Sequence, residues 1–553
     1  MAMNRREFMG SVAGGVAAAA LGGRTARAAR RPNILAILAD DMGFSDVGCY
    51  GSEIQTPNID RLAGEGIRFT QAYNAARCCP SRAALLTGLY PHQAGMGAMV
   101  STAEKPAEPG AYQGYLNGDC VTIAEALKPA GYRTYMSGKW HVGEAPEHWP
   151  CRRGFDRYFG LISGASSYFE LLEEDAKRQM ALDSEPYFPP AEGFYMTDAF
   201  ADHAVKCLEE HDASQPFFHY LAFTAPHWPL HALPEDIAKY RGQYRIGWDE
   251  LRKRRYRKQL ELGIIDPKWA LSPRDPDVPA WEDAATYRNV GDHDEWDLRM
   301  AVYAAMIDRM DQGIGRVLDT LRKKGLDEDT LILFMSDNGG CHENADGRKL
   351  HKEGARAGGR GSFRAYERPW ANASNTPFRL FKHWIHEGGI ATPLIARWPS
   401  AIRQGGALTH QVAHITDVMA TCLDVAGAEY PREHAGRAIT PLVGKSLVPV
   451  LEGKTREPHQ RLYWEHFANR GVREGNWKLV ATKDGQWELY DLEADRTELN
   501  NLVDANRAKA AELYEAWEQW AKDCGAKIPP GQALGDKPDV DGEILNEDVF
   551  RGK

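Results

Sequence analysis

The stretch Asn33-Ile34-Leu35-Ala36-Ile37-Leu38-Ala39-Asp40-Asp41 is a nearly continuous apolar run that ends in two carboxylates. A short run without polar alternation is the pattern of a strand buried on both faces of a parallel sheet. Its two acids fall at the strand's end, the edge at which open α/β sheets bind ligands. An isolated Asp-Asp pair reads first as a helix N-cap beside a solvated acid. A second run changes that reading: Thr330-Leu331-Ile332-Leu333-Phe334-Met335 leads into Ser336-Asp337-Asn338-Gly339-Gly340. Together the two strand ends offer three carboxylates and an amide oxygen, all hard donors that suit Ca²⁺ or Mg²⁺ rather than zinc. Pro216 to Phe223 and Leu394-Ile395-Ala396 are further buried-strand patterns. The class is therefore α/β, with a large, mainly parallel sheet.

Between the first two runs lies Arg77-Cys78-Cys79-Pro80-Ser81-Arg82-Ala83-Ala84-Leu85-Leu86-Thr87-Gly88. Pro80 suits the first turn of a helix, where its missing N–H costs nothing, and Ala83 to Leu86 are good formers to continue it. That places the Cys78 side chain at a helix N-terminus, where free N–H groups and the dipole favour an anion. Without Pro80, Ser81 and Arg82, two adjacent cysteines would read as small packed hydrophobes. With them, the stretch resembles the signature of the type I sulfatases, whose first cysteine is oxidised to formylglycine.

That resemblance extends along nearly the whole chain in family order, and it implies a mixed, mainly parallel sheet flanked by helices with a small C-terminal antiparallel sheet. It implies that Cys78 is the converted residue and that the hydrate formed there is the nucleophile. The implied ligands of one divalent cation, Ca²⁺ by preference over Mg²⁺, are Asp40, Asp41, Asp337 and Asn338, with converted Cys78 completing the shell. Gly138-Lys139-Trp140-His141 resembles the family segment in which the Lys contacts sulfate and the His holds the hydrate. Alone, Lys139 and His141 would be plain loop residues. His227, in Ala225-Pro226-His227-Trp228-Pro229, is placed by the resemblance at the leaving-group oxygen. A His stiffened between two prolines is suited to proton transfer near neutral pH. His219, inside its strand, is expected to pack, and His231 is a weaker candidate. Lys382, ahead of Glu387-Gly388-Gly389, corresponds to a Lys that grips sulfate; its bland alternative is a snorkelling surface Lys. Arg82, Lys139 and Lys382 would then supply fixed positive charge.

The first residues have the pattern of an export leader. Arg5-Arg6 precede an apolar run from Ser11 to Gly23 and an Ala26-Arg27-Ala28 cleavage pattern, so 1–28 reads as a signal peptide. The twin arginines resemble a bacterial Tat signal, which implies the Tat machinery as a partner and a periplasmic or secreted location. The run is too short, and too rich in Ala and Gly, to span a bilayer. The formal charge of −10 does not suggest a general nucleic-acid binder. Nine cysteines without CxxC spacing give no zinc ribbon or disulfide scaffold, and sequence leaves any pairing open.

The remaining organisation is a catalytic domain over 29–455 and a C-terminal subdomain with tail over 456–553. The latter carries short strands at Arg461-Leu462-Tyr463-Trp464, Gly471-Val472-Arg473, Trp477-Lys478-Leu479-Val480 and Trp487 to Leu492, then a helix from about Ala505 to Ala521. Two basic runs, Arg241 to Lys258 and the His342 to Trp370 loop, read as solvated faces; the second could instead attract a sulfated glycan. The long inserts, including Ser163 to Glu170, are expected to line the pocket. The implied function is hydrolysis of a sulfate monoester, aryl sulfate or sulfated carbohydrate, after a maturation enzyme has generated the formylglycine. The alternatives are a phosphatase or phosphonate monoesterase of the same superfamily, and a non-catalytic binder of sulfated glycans.

Overall fold

The computed structural model describes residues 31–101, 107–171, 178–288, 290–346, 351–527 and 534. The leader over 1–28, Arg348 and Lys349 of the basic loop and nearly all of the tail lie outside the described residues. The apolar run forms strand β1 (Asn33–Asp40), buried throughout, at the centre of an 11-stranded sheet. The other strands that carry the site are β2 (Ile67–Tyr73), β3 (Arg133–Gly138), β4 (Arg157–Leu161), β5 (Phe217–Pro226), β6 (Thr330–Ser336) and β7 (Ala391–Arg397). β1 pairs in parallel with β6 on one side, Asn33 opposite Thr330 through Ala39 opposite Ser336. On its other side it pairs in parallel with β5, and β3 and β4 continue that direction. Alternation along β1 sends Leu35, Ile37 and Ala39 into one core and Ile34, Ala36 and Leu38 into the other. Helices Met196–Glu210 and His293–Lys323 cover the first face, and helices Cys78–Thr87 and Asp417–Ala426 cover the second.

Strand direction decides which loops meet. β1, β3, β5 and β6 are parallel, so Asp40, Lys139, His227 and Asp337 emerge at one edge. β7 runs antiparallel to β6, with Met335 opposite Leu394. Its beginning therefore lies at that same edge, which brings Lys382, just upstream in the chain, beside the strand ends.

A four-stranded antiparallel sheet follows, made of β8 (Leu462–His466), β9 (Asn469–Glu474), β10 (Trp477–Ala481) and β11 (Glu488–Asp491). Helix Arg507–Cys524 packs Leu513, Trp517 and Trp520 against Val472, Leu479 and Leu489. It begins after Asn506 and ends at Gly525, whose φ of 70° reverses the chain. This small sheet is tied to the large one through buried charge. Glu387 accepts hydrogen bonds from Lys478 Nζ (2.9 Å), Arg496 Nε (3.0 Å) and Tyr73 Oη (3.0 Å), while its own N–H donates to Glu498 Oε2 at 2.9 Å.

The first basic run departs from a wholly solvated face, and arginines of both runs meet partners. Arg255, on helix Trp248–Glu261, is buried against Asp46 and Glu53, and Arg252 donates to the Ser272 carbonyl. In the loop, Arg356 meets Asp294 and Glu295, Arg360 meets Glu170, Arg364 meets Asp346, and Arg368 meets Asp275 and Asp277. Each of these arginines has an acidic partner. No two of the nine cysteines are joined in a disulfide among the described residues.

Candidate active site

Asp40, Asp41, Cys78, Arg82, Lys139, His141, His227, Asp337, Asn338 and Lys382 are all buried, and they gather at the common strand-end edge. Cys78 opens helix Cys78–Thr87, and the Ser81 hydroxyl accepts from the Ala75 N–H at 2.9 Å, fixing the turn that delivers it. Arg82, one turn further on, is fully buried. Its Nη2 and Nε donate to Asp337 Oδ2 at 2.8 and 3.1 Å, and its Nη1 donates to the Lys139 carbonyl at 2.9 Å. Lys139 Nζ lies 2.5 Å from Asp40 Oδ2. Lys382 Nζ lies 2.8 and 2.9 Å from the two oxygens of Asp41 and 3.5 Å from His227 Nε2. Asn338 donates from Nδ2 to Asp41 Oδ1 at 2.7 Å, which turns its carbonyl oxygen away from that carboxylate.

The groups titrate as an interacting set. Burial, reinforced by Asp337, pushes Asp40 up to about 7. Burial acts on Asp41 too, but His227 and Lys382 outweigh it and hold that carboxyl below its ordinary value. Cys78 is held well below the usual thiol range by a hydrogen bond from Cys79, with Lys139 and His141 helping against burial. Burial pulls His141 down to about 3, so its imidazole is neutral. His227 is also lowered by burial, with Asp41 opposing. Because a carbonyl can only accept, the 2.6 Å contact of His227 Nδ1 with the Trp228 oxygen places a proton on Nδ1. Nε2 is left facing Asp41, at 3.4 Å.

Three acids, Asp40, Asp41 and Asp337, therefore face three cations, Arg82, Lys139 and Lys382. Two buried oxygens, Asp40 Oδ1 and Asn338 Oδ1, meet no hydrogen-bond donor. A buried acceptor left unmatched costs about 1–3 kcal/mol, which a cation bound between these oxygens would remove. The donor set is hard oxygen, as Ca²⁺ or Mg²⁺ requires. Asp40, Asp41 and His227 are also close enough together to share an ion.

The geometry separates other candidates from this centre. His219 is buried in β5 and bonds Ser137 Oγ at 2.9 Å, and His231 bonds the Ser362 carbonyl at 2.8 Å. Sequence reasoning missed several supports. Tyr168 Oη donates to the carbonyls of Thr224 (2.7 Å) and His227 (2.9 Å) from the 163–170 insert. In the same insert, a Cβ on Gly164 would lie 2.4 Å from His141 Nε2, so the backbone there lies close against the imidazole. Glu343 bridges Arg77 Nη2 (2.9 Å) and Trp228 Nε1 (3.0 Å), residues adjacent to Cys78 and His227. No local pattern marks these residues, since each acts across long sequence separations.

The sulfatase family matches residues 32–428, and the family described as N-sulphoglucosamine sulphohydrolase, C-terminal, matches residues 378–521. The chain belongs to the sulfatase family. It is 36% identical to an uncharacterised sulfatase of Schizosaccharomyces pombe over 91% of this chain and 95% of that protein. It is 34% identical to an arylsulfatase of Klebsiella aerogenes, covering 80% of this chain and 96% of the relative. Among solved structures it resembles Ps i-CgsB, crystallised with k-i-k-neocarrahexaose, with a TM-score of 0.66, 26% identity and coverage of 90% and 94%. This sulfatase is accordingly a sulfuric ester hydrolase. Its family implies a metal and a formylglycine, and the unmatched oxygens and the helix-start cysteine fit both. Among the described residues, no helix is long and apolar enough to cross a membrane.

Proposed function

We propose that this sulfatase hydrolyses a sulfate monoester through a formylglycine made from Cys78, beside one Ca²⁺ held by Asp40, Asp41, Asp337 and Asn338. The observation that carries this reading is the convergence of Cys78, at a helix N-terminus, with three buried carboxylates and three buried cations at one sheet edge. When bound, the cation would polarise the ester and offset its charge, and the formylglycine hydrate would supply the nucleophilic oxygen.

The chain's own residues then divide the work. Lys139 and Lys382 grip the sulfate oxygens, while Arg82 fixes Asp337 and the Lys139 carbonyl, so positive charge is in place before any develops on the substrate. His227 presents Nε2 to the leaving oxygen and acts there as an acid in its doubly protonated form, which the facing Asp41 carboxylate favours, while Nδ1–H stays tied to the Trp228 carbonyl. His141, neutral by burial, accepts a proton from the group at position 78. A cation of charge +2 is balanced by one sulfate monoester and one ionised oxygen at position 78, which preserves the site's neutrality.

The substrate is a sulfated small molecule or glycan. Maturation needs a formylglycine-generating enzyme. The twin-arginine leader favours Tat export to the periplasm or beyond. Residues 29–455 form the catalytic domain and 456–553 the subdomain and tail. The test is Cys78→Ala against matured wild type on a nitrophenyl sulfate. Turnover should vanish with the fold retained, and activity within about tenfold of wild type would exclude position 78 as the nucleophile.

A further inference from the structure

The residues that flank the reacting groups are joined by one carboxylate. Glu343 follows Asp337 and Asn338 on the loop that leaves β6. Its Oε1 accepts from Arg77 Nη2 at 2.9 Å and its Oε2 from Trp228 Nε1 at 3.0 Å. Arg77 precedes Cys78, and Trp228 follows His227 and accepts that residue's Nδ1–H on its carbonyl at 2.6 Å. From its other terminal nitrogen, Arg77 Nη1 donates to Nδ1 of His383, the neighbour of Lys382, at 2.9 Å. Glu343 thus ties the neighbours of the nucleophile position, of the leaving-group His and of Lys382 into one frame.

The frame braces strained backbone. Ala76 and His383, with φ 63° and 90°, take left-handed conformations rare for residues other than glycine, and the His383 N–H donates to the Ala76 carbonyl at 2.8 Å. Such backbone persists where its surroundings over-determine it. Both of the Glu343 bonds run to N–H donors, and the one to Arg77 joins opposite charges. A carboxylate accepts on each oxygen, whereas an amide of the same shape accepts on one side and presents N–H on the other, so it cannot serve both donors.

We propose that Glu343 is a positioning residue for proton delivery: by holding Arg77 and Trp228 together, it sets the separation between His227 Nε2 and the group at position 78. The inference rests on the reading of His227 as the acid at the leaving oxygen. In that step the bond from sulfur to the leaving oxygen breaks, its electron pair stays on the oxygen, the Nε2 proton moves there, and the imidazolium becomes neutral imidazole. Attack on sulfur does not use His227. A His227 displaced by loss of the bridge therefore costs little when the leaving group departs unprotonated and much when it does not. A misplacement of about 1 Å is enough to cost on the order of a hundredfold.

The test uses matured enzyme and aryl sulfates running from nitrophenyl to methoxyphenyl, whose phenol needs the proton more. Glu343→Gln and Trp228→Phe, which removes the indole N–H and keeps an aromatic ring, are assayed singly, together, and beside His227→Gln, with circular dichroism to establish folding. Each single variant should keep kcat on nitrophenyl sulfate within about threefold and lose about tenfold on the methoxyphenyl ester, with KM within about threefold throughout. The double variant should lose no more than Glu343→Gln alone. An equal loss along the series marks a merely structural role and overturns the proposal. A change confined to KM, which would make Glu343 a substrate contact, overturns it too, as do losses that multiply in the double variant. If Glu343→Gln does not fold, an unaltered leaving-group dependence in Trp228→Phe overturns it on its own. Dependence that steepens in His227→Gln but in neither other variant removes this proposal alone; no steepening even in His227→Gln removes the reading of His227, and the proposal with it.

Discussion

Replacing Glu387 with Gln removes the charge that joins the two sheets while keeping the side chain's shape. In the wild type, Lys478 and Arg496 are fully buried against it. Removing one partner of a buried pair costs about 3–5 kcal/mol. Here the lower end applies: Lys478 keeps Glu498 Oε1 at 2.8 Å, and Arg496 keeps the Thr70 carbonyl at 2.6 Å. The predicted loss is thus about 3 kcal/mol, a large part of the 5–15 kcal/mol available to a folded domain. It can be read from the first cooperative transition in urea, followed by tryptophan fluorescence. The pH dependence has a definite sign. Burial would raise Glu387, but Lys478 and Arg496 prevail and hold it near about 2, below its ordinary 4.5. Its contribution is present in full above pH 4.5 and is lost as pH falls through about 2, so wild type and Glu387→Gln should converge over that window. A difference below about 1 kcal/mol at pH 7, or one independent of pH, would refute the reasoning. Because Tyr73 leads toward Cys78 and Glu387 follows Lys382, sulfate release should fall alongside stability.

Removing divalent cations with a chelator should abolish turnover, with Ca²⁺ or Mg²⁺ restoring it; rescue by zinc alone would contradict the oxygen donor set. His227→Gln should slow esters of poorly departing alcohols far more than nitrophenyl sulfate, whose leaving group needs little protonation, and an equal loss on both would remove the proton-delivery role. Gly88→Ala should destabilise by about 1–3 kcal/mol, measured by thermal unfolding, since Gly88 has φ 69° and a Cβ would lie 2.3 Å from Leu442.

The large sheet was legible because its strands are buried on both faces, which leaves continuous apolar runs such as Ile34 to Ala39. The site was legible because its acids and bases stand where those runs end, or within motifs as dense as Cys78 to Arg82. The direction of β7 was not, since local sequence does not record whether a strand runs with or against its neighbours. Nor were the supports of the site: Tyr168, Gly164 and Glu343 act on residues that are far away in the chain. The first basic run misled for the same reason. Arg255 reads as a solvated charge until Asp46 and Glu53, some two hundred positions earlier, are placed beside it.

The account rests on what position 78 becomes. The most direct measurement is the mass of the tryptic peptide Cys78-Cys79-Pro80-Ser81-Arg82 from a matured preparation that is assayed in parallel for sulfate release from nitrophenyl sulfate. The prediction is a peptide lighter by about 18 Da, as a thiol becomes an aldehyde, together with sulfate release that scales with the converted fraction. Sulfate release undiminished in protein whose Cys78 is wholly unmodified would contradict it.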